Sequence, residues 1–255
     1  MALDARNHPH PALSRNTGRG DNTIRQFIAV ALPPFVIACA LTTACYLAAG
    51  TGLMLYLGGL ALAMVLTPPL TLMRESRLEQ ILAAGSIADG VGVVWLVAMF
   101  QSETTFGQWL SAYVLLVACI IAAAGVAVAL SRWVMRELFA SAVVVMIALA
   151  WLTWPIWLSG WIDRPSVVRA IDWLVPVHPL LALNGLLAHL GVWGEQRLMY
   201  QLTSLGQDVP YAFPSTIAPA TLAHLLLGGA LLLLARGRGA GDVGPTIDIP
   251  DRQPG

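Results

Sequence analysis

Six apolar stretches, each near the ~20 residues that carry a helix across a hydrocarbon core, leave this chain little choice of fold. They run over Phe27–Ala49, Leu53–Met73, Ile81–Phe100, Leu110–Leu130, Leu138–Leu158 and Ile217–Ala235. Lipid offers no partner for backbone N–H and C=O groups, so each stretch must satisfy its own, and only a helix does that within one segment. The expected fold class is therefore all-α, with six transmembrane helices. Composition agrees: 57% of residues are hydrophobic, 11% are charged, and the mean hydropathy is +0.72. Residues 1–26 read as a disordered cytoplasmic tail, 27–235 as the six-span domain with an outer loop at 161–215, and 236–255 as a second disordered tail.

Arginine supplies the orientation. There is no lysine, so all 14 basic residues are arginine. Arg6, Arg15, Arg19 and Arg25 precede the first span, Arg74 and Arg77 follow the second, Arg132 and Arg136 follow the fourth, and Arg236, Arg238 and Arg252 follow the last. Only Arg164, Arg169 and Arg197 fall on the opposite side. The positive-inside rule then places both termini in the cytoplasm.

Several function classes are disfavoured. A formal net charge of zero supplies no basic surface for nucleic acid. No phosphate-binding Gly-x-x-x-x-Gly-Lys-Ser/Thr loop, His-Glu-x-x-His or Gly-x-Ser-x-Gly motif occurs. The chain is thus not read as an enzyme, and no cofactor or metal is expected. Cys39, Cys45 and Cys119 fall inside spans and read as small apolar packing groups. Trp151, Trp154, Trp157 and Trp161 suit an outer interfacial belt.

Two segments invite functional readings. After span two, Arg74, Glu75, Arg77 and Glu79 flank Leu78, Ile81 and Leu82, the pattern of a short amphipathic surface helix. Between spans five and six, Val177–Val192 is too apolar for water yet broken by Pro179 and Gly185. At about 100° per residue, His178, Ala182, Gly185 and His189 share one stripe and leucines cover the rest. The expectation is a bent, membrane-dipping outer helix with that stripe against spans five and six and His178 at a solvent-reached end. Asp89 and His224 lie within or near spans and are candidate pathway groups with His178, Gly185 and His189. Asp89 would be interfacial if span three began near Gly85.

The run Glu75 and Leu78-Glu79-Gln80-Ile81-Leu82-Ala83-Ala84 resembles the segment after span two in permeases of type-2 ATP-binding-cassette exporters. That family usually has a Pro-Val or Pro-Ile step where this chain has Gly85-Ser86-Ile87. Val177-His178-Pro179-Leu180 is similar to the family's Asn-Pro-Leu before the last span, with His178 in place of asparagine. The resemblance implies a permease subunit of a bacterial inner-membrane exporter and an ATPase on a separate chain. It also implies a second permease chain, as homodimer or heterodimer, and a coupling role for Arg74, Glu75, Arg77, Leu78 and Glu79. The alternatives are a membrane-embedded enzyme or assembly factor using the outer loop, and a structural subunit of a membrane complex.

Overall fold

The computed structural model describes residues 18–134, 136–157, 165–191 and 213–238. Most of Trp193–Pro214, with Arg197, and the ends of both expected tails lie outside them. Among the described residues the fold is all-helical: α1 (Gly18–Ala49), α2 (Leu53–Leu72), α3 (Arg77–Met99), α4 (Phe106–Trp133), α5 (Glu137–Trp157), α6 (Pro165–Val177), α7 (Pro179–Leu186) and α8 (Ala218–Arg238). Six of them, α1 to α5 and α8, are long and apolar enough to cross a membrane. The chain is a multi-pass membrane protein.

Boundaries differ from the sequence reading in three places. Helix α1 begins at Gly18, inside the segment expected to be a disordered tail. Helix α2 runs through Pro68 and Pro69 to Leu72. The hydroxyls of Thr67 and Thr71 donate to Ala63 O and Thr67 O, each at 2.7 Å, within the same helix. No separate surface helix follows α2. Ser76 Oγ accepts from Glu79 N at 3.2 Å and caps α3, so the charged run is the first turn of span three itself. Lastly, Pro165–Val177 is a helix where a loop was expected.

Helix α2 lies at the centre, against α1, α3, α4, α5 and α7. Its neighbours approach through missing side chains. A Cβ added at Gly59 of α2 would stand 2.6 Å from Trp95 Nε1 of α3. One at Gly90 of α3 would stand 2.7 Å from Phe35 O of α1, and one at Gly125 of α4 would stand 2.6 Å from Gly228 O of α8. Small residues matter here because lipid tails are as apolar as leucine, and helices associate by close van der Waals contact.

The contacts also set direction. Arg132 Nη1 donates to Ala235 O at 2.9 Å, and Gly125 meets Gly228, so α4 and α8 run parallel. Gly90 meets Phe35, and Tyr46 Oη donates to Gln101 Oε1, so α1 and α3 are also parallel. With α5 reversing α4, α6 and α7 join two spans at the same end of the bundle. An extra full crossing between them would make α8 antiparallel to α4. The start of α1, the α2–α3 turn, the α4–α5 turn and the end of α8 thus share one end, which carries Arg25, Arg74, Arg77, Arg132, Arg136 and Arg236.

The α4–α8 seam gives a paired test. Gly125→Ala forces two backbones apart and should cost about 1–3 kcal/mol, read as a lower melting temperature in detergent. Gly229→Ala meets nothing within 4 Å and should leave melting unchanged or slightly raised. Equal melting of the two variants would remove the seam as a stability determinant.

Candidate functional site

The expected coupling residues split into two groups. Arg74 is half-buried, and its guanidinium donates to Val30 O of α1 at 3.3 Å. Gln80 Nε2 donates to Arg74 O at 3.2 Å. Arg74 therefore staples the α2–α3 turn to α1. Glu75, Arg77 and Leu78 are exposed, and Glu79 is partly so. Leu78 is 66% and Ile81 68% exposed, an apolar pair on a charged, capped turn at the arginine end.

Asp89 belongs to α3. It lies about 18 Å beyond Arg77 at roughly 1.5 Å per residue, near the middle of the 23-residue α3, and faces outward. Its Oδ1 accepts from Tyr113 Oη at 2.6 Å. The seat for that ring is Gly92, where a Cβ would stand 2.6 Å from Tyr113 Cε2. Tyr113 ends an aromatic ladder on α4: Phe106 and Trp109 stack at 5.3 Å, Trp109 and Tyr113 at 5.6 Å. Trp109 Nε1 donates to Gly92 O at 3.2 Å. The 106–109–113 spacing puts the three rings on one helix face, a signal the sequence reading passed over.

The bent helix expected over Val177–Val192 is divided: α6 ends at Val177, and α7 covers Pro179–Leu186. Pro179 disfavours a helical backbone at the preceding residue, so α6 stops and His178 adopts an extended conformation as the N-cap of α7. Helix α7 ends at Leu186, followed by a short 3₁₀ turn over Ala188–Leu190. Pro179 to Asn184 of α7 are all buried, and the helix contacts α2, α4, α6 and α8.

His178 is fully buried rather than solvent-reached. Its Nδ1 accepts from Leu181 N at 3.3 Å, so Nε2 carries the proton and donates to Trp151 O at 3.0 Å. In a regular helix Trp151 O would accept from the N–H of residue 155. That residue is Pro155, inside α5, and has none. His178 supplies the donor that the proline removed. Its ring also lies against Trp151 at 5.3 Å and edge-on to Trp154 at 5.5 Å. Burial drives the imidazole pKa down to about 3, with the nearby His224 adding a smaller push the same way.

The other candidates do not converge on one path. His224 donates from Nδ1 to Ala220 O at 2.7 Å and lies 6.4 Å from the Trp151 ring. It lines an apolar cavity of about 370 Å³ among α2, α4, α5 and α8, while Tyr113, the partner of Asp89, lines a different one. His189 is exposed, 3.5 Å from Gln108 Nε2 at the start of α4. Gly185 abuts Pro214 O, just before α8, so backbone meets backbone there. The stripe thus divides: His178 meets α5, Gly185 the lead-in to α8, and His189 the edge of α4. Among the described residues no three His, Cys, Asp or Glu side chains come close enough to hold a metal ion. No protein-family model, curated protein or solved structure matches the chain.

The proline–histidine pairing has a direct test. His178→Leu leaves a buried carbonyl unpaired and should cost about 1–3 kcal/mol. In a Pro155→Ala background the restored N–H reaches Trp151 O, and the same substitution should cost less. Additive losses in that double-mutant cycle would show that the two residues are unconnected.

His178 also gives an acid-side signature. Its folded pKa lies below the ordinary 6.5, so its contribution is complete above about pH 6.5 and declines as pH falls toward 3. The melting temperature should fall on acidification, and less steeply in His178→Leu.

Proposed function

We propose that this chain is the transmembrane subunit of an ATP-driven exporter of the type-2 ATP-binding-cassette kind, with its ATPase on a separate chain. The arginine end is the cytoplasmic end, as positive-inside logic requires, and the membrane is a bacterial inner membrane. Both termini are cytoplasmic, and residues 161–215 are outside. Transport needs a second permease chain, identical or different. The outward faces of α1 and α5, with Val36 at 51% and Met146 at 67% exposure, offer apolar surface for it.

One observation carries the reading: the exposed Leu78 and Ile81 on the charged first turn of α3. Exposed apolar side chains among Glu75, Arg77 and Glu79 suit a protein partner with a small apolar socket. The turn is also mechanically tied. Ser76 caps it onto α3, Gln80 holds Arg74 O, and Arg74 reaches α1. A push on it moves α1, α2 and α3 together. The parallel α4–α8 pair forms a second closely packed unit, and relative motion of the two is a means of alternating access.

Leu78→Asp should abolish or sharply reduce recovery of the ATPase with the purified permease, while insertion and melting stay near wild type. Full ATPase recovery with this variant would end the coupling proposal. Reporter fusions after Arg236 and within Gln201–Asp208 should report opposite compartments; the same compartment for both would overturn the orientation.

A further inference from the structure

On the outside of the bundle, α3, α4 and α8 enclose a cavity of about 530 Å³ with a mixed lining. That volume is within the range of small-molecule and cofactor sites, roughly 300–1,000 Å³. Its walls are apolar, built from groups such as Gly85, Ile121 and Leu233. Gly85 is exposed and Leu233 is 69% exposed, so the cavity opens sideways onto the face that hydrocarbon bathes. Arg77, Arg132 and Arg236 line the same cavity, each from a different helix and each exposed. Among the described residues no carboxylate pairs with any of the three. Arg132 spends one donor on Ala235 O and keeps others.

This combination is specific in its chemistry. An apolar channel open to the bilayer excludes a freely soluble anion as the natural occupant. Three guanidiniums lining one groove at the bundle end favour an anionic head over a zwitterionic one, since guanidinium binds phosphate by paired, charge-assisted hydrogen bonds. We propose that this groove holds one acidic phospholipid of the surrounding bilayer. Its phosphate rests on Arg77, Arg132 and Arg236, and one acyl chain lies along the α3–α4–α8 walls toward Tyr113. The lipid bridges the two helix units, α3 on one side and α4–α8 on the other. The site stands independently of the exporter reading.

The test is direct binding to the purified full-length chain, followed by native mass spectrometry during titration with dioleoylphosphatidylglycerol, dioleoylphosphatidylcholine or inorganic phosphate. Wild type should retain one phosphatidylglycerol at saturation and hold phosphatidylcholine far more weakly. The combined Arg77→Gln, Arg132→Gln, Arg236→Gln variant should lose roughly a hundredfold in affinity. Gly85→Leu fills the channel with every arginine intact. A Cβ there meets nothing within 4 Å, so this variant should fold and still lose the lipid. Arg25→Gln with Arg136→Gln, at the same end but outside the groove, should bind as wild type. Equal binding of phosphatidylcholine, wild-type binding by Gly85→Leu, or full displacement by inorganic phosphate would each overturn the proposal. The last outcome would mark a surface anion site instead.

Discussion

Close helix approach through absent side chains is the constraint on which this molecule depends. In water, burying leucine would hold a bundle together; in lipid that drive is largely missing. What remains is contact distance, and contact distance is set where a Cβ is absent. Gly59 admits the Trp95 ring, Gly90 admits the backbone of α1, and Gly125 and Gly228 bring two helix backbones together. The two parallel pairs, α1–α3 and α4–α8, are built at these points. Helix α2 then fills the centre, with the buried Tyr56 ring 5.3 Å from that of Trp95.

Two polar side chains of the bundle, His178 and Asp89, have specific partners. A proline in a span leaves a carbonyl without its N–H, and an apolar surrounding makes that costly. In α5 the remedy comes from His178, held by its own role as the cap of α7. One imidazole thus closes two backbone accounts, an orphan acceptor in α5 and an orphan donor in α7. This explains why α7 sits inside the bundle rather than on its surface. Asp89 shows the same logic across α3 and α4, with the Tyr113 hydroxyl as donor and Gly92 making room for the ring.

These features give the functional proposals a mechanical basis. A capped turn carrying exposed leucine and isoleucine is joined to one group of helices, and a second group packs as a parallel pair. The arginine-lined groove occurs where the two meet. A protein partner on the turn and an acidic lipid in the groove would act on the same relative motion from different sides of the bilayer boundary.

Span number, span order and the common end of the arginines were legible in the sequence, because hydrophobicity and helical hydrogen bonding are properties of a segment by itself. Leu78 and Glu75 could also be marked as a charged apolar turn, although Ser76 as the cap that merges it with α3 was missed. The break at His178 was half legible: Pro179 was noted, but its restriction on the preceding residue was not followed through. Helix α6 was overlooked because half of a short amphipathic helix resembles an apolar loop. The pairing of Pro155 with His178, of Asp89 with Tyr113 and of Gly125 with Gly228 came only with tertiary structure. Each depends on which faces of distant helices meet, and a periodicity of 3.6 residues says which residues share a face, not which face they find.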